Sequence, residues 1–132
     1  MKPRHLFWMA ISMAALGAAA DEPKNSSQPV RTILERHDQS GVPGKEIVIG
    51  TATLAPGGTI GFHTHAGDEA GYLLKGSLVL KTQGQPDRSL KAGDSFFNPR
   101  GAVHGVTAGP EGATAVSAWI IDKGSPLATP AP

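Results

Sequence analysis

The 132-residue chain carries a formal charge of +1 and contains no cysteine. Its length bounds it to one domain with a core of its own, and its near-neutral balance, without a basic cluster, gives no case for nucleic-acid binding. The lack of cysteine excludes a disulfide scaffold, so stability must come from packing, aided by a metal or a partner subunit.

Residues 1–20 read as a secretory signal. Lys2 and Arg4 precede an apolar run from Leu6 that ends in Ala18, Ala19 and Ala20, an Ala-x-Ala cleavage site before Asp21. The run is shorter than the roughly 20 residues a membrane span needs, and no cysteine follows it to take a lipid. The mature protein is therefore expected to be periplasmic or secreted, with no stable membrane association after cleavage. An uncleaved amphipathic anchor is the alternative. Losing Lys2 and Arg4 takes the formal charge from +1 to −1. Met1, Met9 and Met13 leave with the signal. The remainder then lacks both of the most readily oxidised side chains. That suits a protein working beside a redox metal and O₂, and is equally open to composition chance in a short chain.

Residues 21–29 are polar and read as a disordered linker. A domain is expected over 30–123. Residues 30–38 mix Val, Ile and Leu with charges and read as an edge or extension strand, with His37 as a surface histidine. Residues 46–54 are β-branched and apolar, a good strand. Residues 55–58 turn the chain. Residues 59–65 and 69–74 are expected to pair as a hairpin, because Ala66, Gly67 and Asp68 between them are turn-like. Residues 77–82 continue as strand, 83–87 turn, and 94–98 follow as strand. Residues 102–108 and 113–122 read as two strands joined by a loop at 109–112. Residues 124–132 are Pro-rich and read as a flexible tail without a packed role. No stretch after the signal shows helical periodicity, so the fold class is all-β, an antiparallel sandwich or barrel.

Chemistry concentrates in two of these stretches. On a strand, side chains two apart share a face, so His63 and His65 point the same way. Glu69 can return beside them, and His104 lies downstream. Three imidazoles and a carboxylate on one point suit a divalent transition metal: Fe, Mn, Ni, Cu or Zn. Four donors on an octahedral ion leave two positions for substrate, water or O₂. The same parity turns Thr59, Gly61, Gly71, Leu73, Ala102 and Val106 inward, and Phe62 and Tyr72 outward. The lining is then small and apolar, sized for a modest ligand. The parity of Phe96, Phe97 and Trp119 stays open, since bulges are common at barrel rims. Arg100 reads either as a solvated loop arginine or as a pocket-mouth group for an anionic substrate.

The chain resembles a small single-domain cupin. Gly57, His63, His65, Glu69 and Gly76 stand at the spacing of that family's first motif. Gly93, Pro99, Gly101 and His104 stand at the spacing of its second, where Ala108 replaces a closing Asn. The resemblance implies a jelly-roll β-barrel, an antiparallel double-stranded β-helix, with the metal inside. It implies His63, His65, Glu69 and His104 as ligands, with Glu69 either a fourth ligand or a general base. It also implies a small-molecule ligand or substrate, and a homodimer with the 30–38 strand a candidate for exchange. Three functions are then expected to compete. They are a dioxygenase-like oxidoreductase on a small enol or diol, a metal-dependent isomerase, lyase or hydrolase, and a non-catalytic metal- or ligand-binding protein.

Overall fold

The computed structural model describes residues 28–132, so the signal reading and most of the 21–29 linker lie outside the described residues. Eight strands and no helix make up this part: β1 (Val30–Asp38), β2 (Lys45–Leu54), β3 (Thr59–Thr64), β4 (Gly67–Thr82), β5 (Arg88–Lys91), β6 (Ser95–Asn98), β7 (His104–Asp122) and β8 (Thr129–Pro130). Every pairing is antiparallel. One path runs β1-β2-β7-β3-β8, and β4 joins β7 to β5 and β6. The all-β expectation holds.

Three expectations about connection do not. First, β3 and β4 do not form a hairpin. β3 pairs with the start of β7, His63 opposite His104, while the start of β4 pairs with its end, Gly67 opposite Ile121. The chain crosses the barrel at Ala66 instead of turning back. Gly67 permits the crossing, because a Cβ there would collide with the Ile120 carbonyl. Second, residues 69–74 and 77–82 are one strand, and so are 104–108 and 113–122, with no loop at 109–112. These two long strands bend together. β4 carries register shifts at Leu73/Lys75 and Gly76/Leu78, and Gly76 and Gly112 both have positive φ. A glycine can take that φ without a steric penalty, so what reads as turn chemistry serves as a corner within a strand.

Third, the 124–132 segment is packed. Thr129 and Pro130 pair with Thr64 and His63, and the Ala131 amide donates to the Phe62 carbonyl. Leu127 joins a small core of Val48, Trp119 and Ile121. The larger core holds Leu54, Leu73, Leu78, Leu80 and Leu90 with three alanines of β7. β1 pairs only with β2 and is exposed at all nine positions, His37 included.

Candidate metal centre

Strand register assembles the site. His63 faces His104 across β3 and β7. Glu69 has Asn98 as its partner on β6 and Trp119 on β7. Burial along the first half of β4 alternates, with Glu69, Gly71 and Leu73 buried and Asp68, Ala70 and Tyr72 exposed, as parity predicts. Phe62 also faces outward, 41% exposed. Parity fails on β3. A register shift between Ile60 and His63 puts Ile60, not Thr59 or Gly61, into the cavity beside His63.

That bulge frees the Gly61 carbonyl, which accepts a hydrogen bond from His63 Nδ1 at 2.8 Å. The other two histidines repeat the arrangement. His104 Nδ1 donates to the Ala102 carbonyl at 2.9 Å, and His65 Nδ1 donates to the Leu127 carbonyl at 2.5 Å. A carbonyl oxygen only accepts, so each Nδ1 carries a proton, which leaves Nε2 as the atom that can ligate a metal. Ligand atoms of the three residues all lie within 4.8 Å of one another.

Glu69 closes the group. Its Oε2 accepts from Asn98 Nδ2 at 2.8 Å and stands 3.2 Å from His65 Nε2 and 3.3 Å from His104 Nε2. Lone pairs facing a carboxylate at such distances require a cation between them, either a proton or a metal ion. The 3.3 Å approach to His104 is within ion-pair reach but outside hydrogen-bond geometry. His104 Nε2 is buried and has no hydrogen-bond partner. A buried donor atom left unpartnered is costly, and a metal ion would remove that cost. The residues therefore fit a metal.

Charge states agree. Burial foremost pushes His63 down to about 4, against the pull of its Gly61 hydrogen bond, with the neighbouring His104 and His65 adding to the fall. His63 thus stays neutral and able to ligate well below pH 7. Burial by itself would raise the Glu69 carboxyl; contacts from His104, His65 and Asn98 outweigh it and hold the group well below the usual carboxylate range. A divalent metal would take the place of the imidazole protons that face Glu69.

The centre lines a cavity of about 410 Å³ whose other walls include Ile60, Leu78, Phe96, Val106 and Trp119. Sequence reasoning left Phe96 and Trp119 open; both turn inward, while Phe97 is 55% exposed. Trp119 also donates its Nε1–H toward His65 Nε2 at 3.3 Å. Asn98 went unrecognised, although it directly precedes the motif's Pro99 and shares the inward parity of Phe96. The Leu127 carbonyl had no side-chain signal at all. Arg100 is not at the pocket mouth. It binds Asp122 at 2.5 Å and the Ala66 carbonyl at 2.7 Å, and its amide donates to Asp68. It thereby fastens the crossing between His65 and Glu69 to the end of β7.

Residues 50–121, more than half of the chain, match the family model described as "Cupin domain". The chain belongs to the cupin family. Solved cupins share its fold, so the jelly-roll expectation holds. Among known relatives, this cupin is 35% identical over 68 residues to the dimethylsulfoniopropionate lyase DddW of Ruegeria pomeroyi, covering 52% of this chain and 44% of that protein. It is 39% identical over 69 residues to a germin-like protein of Morus alba, covering 48% and 33%. The chain thus matches less than half the length of either curated relative. The dimethylsulfoniopropionate lyase DddQ of Ruegeria pomeroyi superposes with a TM-score of 0.65 at 19% identity, over 90% of this cupin and 59% of that chain. At that identity the likeness concerns the fold alone.

The 124–132 segment yields a prediction of its own. Ending the chain after Lys123 removes the carbonyl that orients His65, and partners of this kind are worth about 10–100-fold in metal affinity. Competition with a chelator should show a loss of that size. Affinity equal to the full chain would mean that Leu127 does not orient the ligand.

Proposed function

We propose that this cupin is an exported, metal-dependent enzyme that binds a small molecule against the metal and cleaves it as a lyase. One observation carries the reading: three imidazoles and an ionised carboxylate converge in an otherwise largely apolar cavity. His63, His65 and His104 would hold the ion, with Glu69 as fourth ligand through Oε2. A divalent metal there supplies Lewis-acid polarisation of a substrate oxygen, which acidifies the adjacent C–H. Asn98 fixes Oε2, and among the described residues no hydrogen bond is made to Oε1, so this second oxygen is the place for a substrate proton. Its depressed pKa makes Glu69 a weak base, so it serves only a proton already acidified. The apolar walls exclude water and strengthen these interactions. Similarity to a lyase over the barrel region supports the reaction class.

A second reading, the dioxygenase-like oxidoreductase, is favoured by one feature: no methionine or cysteine occurs after residue 20. Turnover of dimethylsulfoniopropionate, catechols and diketones, measured with and without ¹⁸O₂, separates the two. Anaerobic cleavage that a chelator abolishes is expected. Label in the product would move the protein to the oxygenases, and tight ligand binding without turnover would make it a binding protein.

Export rests on the signal reading of residues 1–20, and a mature N-terminus at Asp21 by mass spectrometry would support it. Dimerisation is supported by β1, a nine-residue edge strand exposing Val30, Ile33 and Leu34. A monomer in sedimentation equilibrium would remove it.

A further inference from the structure

The metal cavity is not the end of the binding surface. A second cavity of about 300 Å³ adjoins it, and the two share Arg31, Ile60, His63 and Ala128. Strand parity turns Arg31 and Ile33 of β1 toward the metal cavity, and both line it. Arg31 sits opposite Ala52, a third lining residue, in the β1–β2 register. Among the described residues it is the single lysine or arginine lining either cavity.

Its circumstances differ from those of the other arginines nearby. Arg36 pairs with Glu46, and Arg100 with Asp122. Among the described residues Arg31 has neither an ion pair nor a side-chain hydrogen bond. Glu69 lies in the same cavity but is already engaged by Asn98 and the histidines. A divalent ion would leave the centre cationic after Glu69 is counted, and Arg31 adds a further positive charge. Arg31 itself is exposed, so its charge acts mainly on a group that touches it. A guanidinium offers a planar fork of donors that fits a carboxylate with two parallel hydrogen bonds.

We propose that Arg31 is a specificity-determining residue that holds the carboxylate of an anionic substrate where the two cavities meet, while the substrate's other polar end reaches the metal. The proposal deepens the function proposed above and rests on it. It assigns the substrate class: small carboxylates with a second oxygen function a short chain away. Neutral diols and enols lack the group that Arg31 recognises, and would bind less well. The second cavity, bordered by Phe62 and Pro130, would take any apolar extension on the carboxylate side.

Trp119 makes the test direct. Once Trp8 has left with the signal, Trp119 is the sole tryptophan and lines the metal cavity. Its fluorescence can be titrated with dicarboxylates from malonate to adipate and with their monomethyl esters. Wild type, Arg31→Ala and Arg31→Glu are compared, each with its metal content measured. Wild type should prefer at least one diacid over its ester by about tenfold, as expected of a charged group left unpaired. Both variants should keep their metal and lose the preference. Variants that keep the metal and the preference overturn the role of Arg31, as does a wild type that binds no member of the series. A wild type that holds no metal overturns the proposed function instead. Arg31 lies on an exposed edge strand outside both cores, so its replacement leaves folding intact.

Discussion

Replacing Gly76 by alanine should remove much of this protein's stability, while the same change at Gly84 should cost only about 1–2 kcal/mol. Both glycines have φ near +75°, at 73° and 77°. An L-residue pays about 1–2 kcal/mol for that conformation. At Gly84 that is the whole cost, because nothing lies within 4 Å of an added Cβ. At Gly76 the Cβ would collide with the Gly112 carbonyl, and backbone cannot swing aside as a side chain can. Gly112 is itself the corner of β7, so relief at one corner must displace the other. The sum is several kcal/mol, against a total stability of about 5–15 kcal/mol for a domain. Urea unfolding of the two variants beside wild type checks it. A Gly76→Ala midpoint close to that of Gly84→Ala would show that the paired corners can shift independently.

Replacing His104 by alanine should weaken metal binding by more than ~100-fold without unfolding the barrel. His104 is 2% exposed, and its Nε2 is the buried nitrogen that lacks any hydrogen bond. Its removal leaves two imidazoles and Glu69, a three-donor set that can still take a divalent ion but holds it more weakly than four donors do. The loss should exceed the ~10–100-fold typical of removing an outer partner. The variant also leaves a cavity where the imidazole stood, at a cost of a few kcal/mol by analogy with other large-to-small changes, roughly 2–5. It deletes the unpartnered Nε2 at the same time, which offsets part of that cost. Equilibrium dialysis against zinc, with circular dichroism as the folding control, reads both effects. Unchanged affinity in a folded His104→Ala variant would remove His104 from the ligand set.

The motif residues were legible because their chemistry demands fixed spacing. His-x-His follows from the period-2 strand, and burial alternates along β4 from Glu69 to Leu73 as that period requires. Parity failed on β3 for a physical reason. One bulge between Ile60 and His63 exchanges the faces, and a bulge leaves no mark in side-chain type. The supposed hairpin failed because Ala66 to Asp68 looks like a tight turn, whereas β3 finds its partners at β7 and β8. Glycines misled at 109–112 too, since positive φ serves a bend within a strand as readily as a turn between strands. The C-terminal segment was the largest omission. It acts through a backbone carbonyl, a short strand pairing and one buried leucine, none of which shows as periodicity. Asn98 belongs to neither motif, and only the pairing of β4 with β6 reveals that it holds Glu69.

The central claim is that His63, His65 and His104 bind one metal ion through Nε2. X-ray absorption at the metal edge tests it most directly, on mature protein purified without a histidine tag and reconstituted with Fe, Mn, Ni, Cu or Zn in turn. The account predicts one tightly held ion with three imidazole nitrogens in its inner shell, at about 2.0–2.1 Å if the ion is zinc. A shell of oxygen atoms alone, or no ion retained from any of the five, would contradict it.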